Sequence, residues 1–385
     1  MIATRHLFAQ TIALCVIGMS VHAEEPAAPC GDGTCCGTPP GRSAQLTAWL
    51  AAAENQDAAV NAELAAPDQA PEGMVWIPGG EFTMGTDAPN TWSNEHPAHP
   101  VRIDGFWMDE TEVTNAQYAA FVEATGYVTV AERPIDWEEI KKQVPPGTPK
   151  PPAEMLQPGS LVFTPPNHPV DLRNITAWWS WTPGANWKHP KGPNSSIEGK
   201  DNYPVVHIAW EDAQAYADWA GKQLPTEAQW EYAARGGNDN TRFAWGDTFK
   251  PDNRSMANTW DGKFPYKNTA EDRFVLAAPV KSFPPNGYGL YDTAGNVWEW
   301  TADWYRDDRN AILAKIAERE PVVNPAGPDV PSDAANPGAR SRVIKGGSFL
   351  CHVDYCESYR PPARRGTPDD TGLQHTGFRC IKLTK

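Results

Sequence analysis

Cysteine is scarce in this chain. Seven cysteines occur in 385 residues, and six of them lie beyond residue 23. Three of the six, Cys30, Cys35 and Cys36, fall within "CGDGTCCG", and the others are Cys351, Cys356 and Cys380. Six cysteines so unevenly placed are too few to hold together a domain of this size, which excludes a disulfide-rich scaffold. Zinc in the first group would need a further histidine or cysteine at finger spacing, and none follows.

Basic charge and long apolar runs are also lacking. The 33 Lys and Arg residues stand against 48 Asp and Glu, for a net charge of −15. This balance argues against nucleic acid or an anionic membrane surface as a partner. Beyond residue 23, no apolar run approaches the ~20 residues that a membrane-spanning helix needs.

Residues 1–23 have the features of a secretory signal peptide. Arg5 supplies the charged start, "LFAQTIALCVIGMS" is the apolar stretch, and "VHA" places a small residue before Glu24. An uncleaved membrane anchor is the alternative, but the apolar run falls short of the ~20 residues of a span. We expect cleavage and export to a periplasm, the medium or a secretory-pathway lumen. Because Arg5 is the only charged side chain removed, the net charge would pass from −15 to −16.

Several catalytic motifs are missing as well. The sequence has no Gly-x-Ser-x-Gly elbow, Walker loop, dinucleotide fingerprint or His-Glu-x-x-His. Tryptophan, by contrast, is abundant at 17 residues, beside 38 Pro and 31 Gly. Many rings with many turn-forming residues predict an α+β domain that is rich in loops and low in regular secondary structure.

Local patterns divide the chain into three segments. Residues 1–23 are the signal peptide, residues 24–72 are a cysteine-containing, Ala- and Pro-rich extension or linker, and residues 73–385 form a single domain. Apolar spacing and capping residues predict helices within 114–126, 207–222 and 224–237. The Gly-Gly pair at 79–80, between alternating apolar residues, predicts a hairpin. Pro-rich residues 134–204 and 305–342 are interpreted as long surface loops.

Two stretches have the oxygen ligands that calcium prefers. In "YGLYDTAGNVWEW" (288–300), Asp292, Asn296 and Glu299 are interleaved with glycines that allow tight turns. The alternative there is a buried turn in which Glu299 accepts backbone hydrogen bonds. In "ANTWDGKFPYKNTAEDRF" (257–274), polar and acidic side chains crowd an irregular stretch that a cation would crosslink. A solvated acidic loop is the alternative, and spacing alone favours it.

The pair Cys351 and Cys356 in "GGSFLCHVDYCESYR" (346–360) has three interpretations. A disulfide is the usual state in an exported protein. A zinc site would need two more ligands. Two thiolates without a fixed third ligand suit a soft, low-coordinate ion such as Cu(I). The residues alone favour the disulfide and leave the other two open.

Five stretches together resemble the formylglycine-generating enzyme (sulfatase-modifying factor) family. They are "MVWIPGGEFTMGTD", "ANWKHPKGPNSSI", "YPVVHIAWEDAQAYADWAGKQLPTEAQWEYAARGG", "FPPNGYGLYDTAGNVWEWTADWY" and "RVIKGGSFLCHVDYCESYRPPAR" with the following "TPD" and "GFRC". The resemblance implies a single catalytic domain with a variant of the C-type-lectin fold. It also implies an enzyme that oxidises the cysteine in a Cys-x-Pro-x-Arg motif to Cα-formylglycine. The substrate would be an unfolded sulfatase polypeptide, Cu(I) the cofactor and dioxygen the co-substrate.

The resemblance assigns roles to individual residues. Cys351 and Cys356 would hold copper, and Ser348, Trp298 and Tyr355 would line the pocket beside them. Structural calcium would bind at two places. The ligands at the first are Asn258, the carbonyl of Thr259, Asp272 and the carbonyl of Phe274. Those at the second are Asp292, the carbonyls of Gly295 and Val297, and Glu299. Trp178, Trp179 and Trp187 are candidates for the wall of a peptide groove, or for core.

The chain departs from the family pattern in two respects. Three of four positions that carry structural disulfides in secretory-pathway members read Ala217, Ala234 and Pro361, so Cys380 is expected to be an unpaired buried thiol. His375 and Thr376 replace residues near the expected groove, which bears on substrate range. Two alternatives to the copper enzyme are open. One is a non-catalytic lectin-like binding module with a Cys351–Cys356 disulfide, and the other is an iron oxidase, for which the usual His-x-x-x-His-x-Glu set is not evident.

Overall fold

Short strands joined by long loops dominate the computed structural model, which describes residues 66, 69–141, 146–334 and 339–384. The predicted signal peptide and nearly all of the extension at 24–72 therefore lie outside the described residues. The strands are β1 (Met74–Ile77), β2 (Gly80–Met84), β3 (His99–Ile103), β4 (Phe106–Asp109), β5 (Gly159–Phe163), β6 (Trp179–Pro183), β7 (Gly262–Lys263), β8 (Lys267–Asn268), β9 (Trp298–Trp304), β10 (Val322–Val323), β11 (Ser341–Lys345), β12 (Arg365–Pro368), β13 (Thr376–Gly377) and β14 (Ile381–Leu383). The helices are α1 (Asn115–Thr125), α2 (Trp137–Ile140), α3 (Trp210–Trp219), α4 (Glu227–Arg235) and α5 (Arg309–Ala317).

The three predicted helices are present because their ends are encoded locally. α1 begins at Thr114, whose hydroxyl accepts the Gln117 backbone N–H, and α4 begins in the same way at Thr226. Both end at a glycine in the left-handed conformation, Gly126 and Gly236. In α3 the N-cap residue Ala209 offers no side-chain cap, but the Asp212 carboxylate in the first turn accepts the Ala209 N–H.

The predicted hairpin at Gly79 and Gly80 is wrong. β1 pairs antiparallel with β4, and β2 pairs antiparallel with β3, so the two strands on either side of the glycines belong to different sheets. A Cβ on Gly79 would lie 2.9 Å from the backbone nitrogen of Gly105. The glycine pair thus lets the chain pass from one sheet to the next at a close backbone contact.

The two Pro-rich regions contain more regular structure than predicted. The first includes the antiparallel pair β5 and β6, and the second includes α5, β10 and the start of β11. α5 buries only Asn310 and Leu313, which explains why its apolar spacing was too weak to indicate a helix.

One four-stranded sheet, in the order β12-β11-β9-β13, positions the residues of interest. β11 leads into the loop that carries both cysteines, β9 carries Trp298, β13 pairs with Trp298 through Thr376, and β12 begins at Arg365. α1 and α3 pack in the same hydrophobic core as the cysteines. The observed architecture confirms the predicted α+β, loop-rich class.

Candidate active site

The chain turns sharply after β11 because of two glycines. Gly346 and Gly347 have φ values of 86° and 72°, a conformation that side chains disfavour. A Cβ on Gly347 would lie 2.8 Å from the backbone nitrogen of Tyr359. The outgoing and returning arms of the loop therefore pass each other at backbone distance, with the two cysteines between them.

Residues 348–356, which we call the thiol turn, are held by backbone hydrogen bonds. The Cys351 N–H donates to the Ser348 carbonyl at 2.8 Å, and the His352 carbonyl accepts the N–H groups of Tyr355 at 3.0 Å and Cys356 at 2.9 Å. Both thiols are free, and the two residues are only 1% and 6% exposed. The structure thus brings together two reduced, buried sulfurs and contains no disulfide between them.

The two thiols differ in acidity. Burial raises the pKa of Cys351 well above its ordinary value. Burial would raise the pKa of Cys356 too, but a hydrogen bond from Cys351 and the positive charge of Arg365 outweigh it and lower that pKa to about 6. The pair therefore favours one thiolate stabilised by one thiol, and thiolate is the form that binds metals.

Aromatic rings close the site on one side. Tyr355 is half-buried, stacks on Phe264 at 4.6 Å between ring centroids, and meets the edge of Trp178 at 5.7 Å. Trp298 is buried in the same hydrophobic cluster as Cys351 and Cys356. Of the three tryptophans considered for a groove wall, Trp187 lies in the core against Tyr118, Trp178 is buried behind Tyr355, and Trp179 is half-buried.

The residues predicted to line the copper pocket do lie together. The Ser348 backbone N–H points to the Cys351 sulfur at 3.4 Å, and the Ser348 hydroxyl accepts the Leu350 N–H at 3.2 Å. Tyr355 is within the thiol turn, and Trp298 shares the cluster. The roles assigned to these residues remain predictions.

His375 and Thr376 lie next to Trp298. The Trp298 N–H donates to the His375 carbonyl at 2.8 Å, and Thr376 is the β13 partner of Trp298. The His375 ring meets Trp179 at 4.8 Å. Burial lowers the pKa of His375 to about 3, so its imidazole is neutral at physiological pH.

The first predicted calcium site has an oxygen without a donor. Asn258 Oδ1 is buried and has no hydrogen-bond partner, an arrangement that a cation would satisfy. Asp272 is buried nearby, and its carboxylate accepts the N–H groups of Thr259 at 3.1 Å and Phe274 at 2.9 Å. The four predicted ligands are therefore linked in one loop, and their hard oxygens suit calcium.

The second predicted calcium site has an excess of negative charge. Glu112, Asp292 and Glu299 are buried around a single buried guanidinium, that of Arg379. Burial raises the pKa of Asp292 to about 6, and burial with the charges of Asp292 and Glu299 raises the pKa of Glu112 well above its ordinary value. A divalent cation would offset this excess. Glu299 already accepts three hydrogen bonds, from Trp230 and Arg379, which leaves room for one further ligand bond.

Neither proposed metal type depends on a dense cluster of side-chain ligands. Among the described residues, no group of three or more His, Cys, Asp or Glu side chains is arranged as a metal site. Copper would rely on two sulfurs, and calcium on amide and carbonyl oxygens with one or two carboxylates.

Three residues at these sites were not found from the sequence. Trp92 donates its indole N–H to the Cys356 carbonyl at 3.4 Å from a position 264 residues away. Arg365 supplies positive charge to the thiols, and Glu112 accepts from Asn296 at 3.1 Å. The only sequence signal was the place of Arg365 directly after the matching "RPPAR" stretch.

Comparison with known proteins addresses the identity of this fold and site. Residues 61–384 match the family model described as "Sulfatase-modifying factor enzyme 1-like domain". A formylglycine-generating enzyme from Mycobacterium tuberculosis is 47% identical, over 80% of this chain and 97% of its own length. The chain belongs to the formylglycine-generating enzyme family. This confirms the predicted family, its enzyme class and its variant C-type-lectin fold.

Two further relatives and one solved structure are similar to this chain. The enzyme of that name from Thermomonospora curvata is 46% identical, over 82% of this chain and 94% of its own length. A mouse protein named "Inactive C-alpha-formylglycine-generating enzyme 2" is 39% identical, over 80% of this chain and 84% of its own. Among solved structures, PvdO from Pseudomonas aeruginosa aligns with a TM-score of 0.49 at 23% identity, over 81% of this chain and 94% of that chain.

The predicted departure from the disulfide pattern is visible in the core. Cys380 is a free thiol with no exposed surface, and Ala217 and Ala234 are buried. Cys380 is therefore an unpaired buried thiol, as the sequence indicated.

Proposed function

We propose that this chain is an active formylglycine-generating enzyme. It would oxidise the cysteine of a Cys-x-Pro-x-Arg motif in a sulfatase polypeptide to Cα-formylglycine, with dioxygen as the oxidant and Cu(I) held by Cys351 and Cys356. The observation that carries the proposal is the pair of free, buried thiols in the thiol turn. Because the family includes a relative named as inactive, membership alone does not decide turnover, and the thiol pair supports it.

The thiol pair fits Cu(I) by its chemistry. Sulfur is the soft donor that this ion prefers, and two sulfurs satisfy its low coordination number. His352, the nearest imidazole in sequence, accepts the Asp354 N–H at 3.2 Å through Nδ1. When bound, Cu(I) would supply the activation of dioxygen that removal of hydrogen from the substrate Cβ requires.

The remaining tasks fall to the protein. Burial of the two thiols excludes water, and the charge of Arg365 favours the thiolate form of Cys356. The rings of Tyr355, Phe264 and Trp178 form one wall. The thiols are nearly inaccessible, so a substrate would have to present its cysteine on a flexible, extended segment. An unfolded sulfatase chain meets that need better than a folded one.

The redox balance requires a second reductant. Conversion of CH2–SH to CHO with release of hydrogen sulfide is a two-electron oxidation, and dioxygen accepts four electrons on reduction to water and the aldehyde oxygen. Two thiols of an external reductant, which become a disulfide, supply the other two electrons. One dioxygen then yields one aldehyde, one hydrogen sulfide and one water.

Turnover of a peptide tests the proposal. Purified protein is loaded with Cu(I) and incubated with dioxygen, a thiol reductant and a Cys-x-Pro-x-Arg peptide, and the product is analysed by mass spectrometry. We expect a peptide that has lost hydrogen sulfide and gained one oxygen. Unchanged peptide with fully copper-loaded protein would contradict the proposal and favour the non-catalytic lectin-like module.

We also propose two structural calcium ions and export. One calcium would bind Asn258, Asp272 and the carbonyls of Thr259 and Phe274, and the other Asp292, Glu299 and the carbonyls of Gly295 and Val297. Hard oxygens and buried negative charge support both sites. The charged start, apolar stretch and small residue before Glu24 in residues 1–23 support export. Among the described residues, no helix is long and apolar enough to cross a membrane. Amino-terminal sequencing of the protein from its own host should begin at Glu24, and a chain that begins at Met1 would overturn the cleavage.

A further inference from the structure

Arginine side chains near the thiol turn are neutralised, with one exception. Arg360 forms two hydrogen bonds to Glu95, at 2.6 and 2.8 Å, Arg364 pairs with Glu227, and Arg242 pairs with Glu357. In the described ranges, no carboxylate forms an ion pair with Arg365. Its guanidinium instead lies over the ring of Trp92, 5.6 Å from the centroid.

Arg365 faces a cavity of about 530 Å3 that has no assigned role. Its walls include Trp92, Asn94, Tyr305 and Arg364. Two carboxylates, Asp307 and Asp333, also lie at the cavity and accept the Ala334 N–H and the Ser341 hydroxyl, respectively. A volume of this size is within the usual range of ligand pockets, roughly 300–1,000 Å3. Because the Arg364 guanidinium is committed to Glu227, Arg365 is the cation available to a ligand there.

The cavity adjoins the thiol turn through a single side chain. Trp92 is 50% exposed, and the Arg365 guanidinium lies over its ring. Its indole N–H donates to the Cys356 carbonyl at 3.4 Å. A polypeptide with its cysteine at the thiols would thus pass beside Arg365.

We propose that this cavity is a subsite of the peptide groove and that Arg365 binds an acidic side chain of the substrate polypeptide close to the reacting cysteine. The inference rests on the proposed function and adds a specificity that the Cys-x-Pro-x-Arg motif does not contain. An extended chain covers about 3.3–3.6 Å per residue. Because only the Trp92 ring separates Arg365 from the thiol turn, the acidic side chain would lie within roughly three residues of the cysteine, on either side.

The choice of an acidic partner follows from charge and geometry. A guanidinium forms bidentate hydrogen bonds with a carboxylate, and such charge-assisted bonds are stronger when water is partly excluded. A basic or neutral side chain at the same place would leave Arg365 repelled or without a partner. Specificity by an unpaired cation therefore selects acidic segments and disfavours basic ones.

Peptides that differ by a single charge test the subsite. Each carries the Cys-x-Pro-x-Arg core with Glu, Gln or Lys at one of five positions: three, two or one before the cysteine, directly after it, or directly after the proline. We expect one position at which Glu raises kcat/KM over Gln by about tenfold, consistent with a charge-assisted hydrogen bond. In Arg365→Gln that ratio should fall to about one, Arg365→Lys should keep part of it, and Arg365→Glu should prefer Lys, as expected from electrostatic complementarity.

Binding measured without turnover separates this inference from the proposed function. The same peptides with serine in place of cysteine are titrated by fluorescence anisotropy, with Arg319→Gln, an exposed arginine of the α5 end, as the matched control. Glu-over-Gln selectivity that persists in Arg319→Gln and disappears in Arg365→Gln supports the subsite even if no peptide is oxidised. An equal Glu-to-Gln ratio in wild type and Arg365→Gln, at all five positions and with unchanged Tm, overturns it.

Discussion

Two regions beside the four-stranded sheet differ in whether their charged side chains have partners. In the first, which we call the paired-charge region, every buried cation has a buried carboxylate: Arg360 with Glu95, Arg364 with Glu227, and Lys345 with Glu231. In the second, the thiol turn with Arg365, the two sulfurs hydrogen-bond to each other and the guanidinium forms no ion pair with a carboxylate among the described residues.

The difference separates structural from ligand-binding roles. A buried charge left without a partner costs several kcal/mol, so a region that serves only to hold the fold must pair its charges. The paired-charge region does this and fixes the ends of the loop that returns from β11. The thiol turn is left incomplete, which is expected where a metal ion and a substrate would supply the missing partners.

Substitution of either thiol should have the largest effect. In Cys351→Ser or Cys356→Ser, Cu(I) binding should be lost and formylglycine formation should fall to the background rate, because one sulfur cannot replace the two-sulfur site. Stability should decrease by only about 1–3 kcal/mol, the cost of a hydroxyl in apolar surroundings. Copper titration, peptide turnover and thermal melting measure the three effects.

Cys380→Ser is the matched control for both thiol variants. Cys380 is also free and fully buried, but it lies outside the thiol turn. It should lose a similar amount of stability and retain both copper binding and turnover. If Cys380→Ser abolished turnover as completely as Cys351→Ser does, the loss would reflect damage to the fold and the assigned role of the pair would be wrong.

Substitution in the paired-charge region should show the reverse pattern. Glu95→Gln leaves the buried guanidinium of Arg360 with a neutral partner, and the expected loss of stability is about 3–5 kcal/mol. Thermal melting should show a Tm lower by roughly 10 °C. Turnover per folded molecule, measured well below that Tm, should stay within about threefold of wild type because Glu95 does not contact the thiols.

The control for this variant is the same substitution in an exposed ion pair. Glu138 pairs with Lys141 at the surface, where such pairs contribute about 0–1 kcal/mol. Glu138→Gln should therefore leave Tm nearly unchanged. A loss in Glu95→Gln no greater than that in Glu138→Gln would remove the distinction between the two regions.

Local signals explain which parts of this structure the sequence could predict. The capping residues Thr114 and Thr226 determine helix ends within a few positions, and the thiol turn is a contiguous segment, so both were found. The predicted Gly79–Gly80 hairpin is wrong because the pairing partners of the two strands lie 15 to 35 residues further along the chain. Trp92 and Arg365 meet across 273 positions, and no spacing rule joins residues so distant.

A buried histidine should give a pH effect that is independent of both regions. His207 is fully buried, its ring nitrogens contact Ser160 and the Pro190 carbonyl, and burial lowers its pKa to about 4. The unfolded chain takes up a proton near pH 6.5 and the folded chain only near pH 4. Stability from this residue is therefore complete above about pH 6.5 and declines by up to about 3 kcal/mol as pH falls to 4.

Comparison of variants isolates this contribution from that of the acidic groups. The raised pKa values of Asp212 and Asp303, both about 7, act in the opposite direction over the same range. Between pH 6.5 and 4, the urea-unfolding free energy of His207→Gln should change by up to about 3 kcal/mol more toward stability than that of wild type, whereas the exposed His168→Gln should keep the wild-type slope. An identical slope in wild type and His207→Gln would show that the imidazole titrates normally.

Removal of calcium should have the smallest effect of these changes. It tests whether the site at Asn258, like the thiol turn, lacks a ligand that a metal ion would supply. If Asn258 Oδ1 awaits a cation, calcium at a hundred times its Kd should stabilise the fold by about 2.7 kcal/mol, and a chelator should reverse this. Asn258→Ala should remove the part of the Tm response that depends on the first site.

Asn115 is the control, because it also has a buried Oδ1 without a partner but no acidic neighbour assigned as a ligand. Asn115→Ala should therefore lower Tm and leave the calcium response intact. A calcium response that is equal in wild type and Asn258→Ala would mean that this unpartnered oxygen, unlike the thiol pair, is not a ligand.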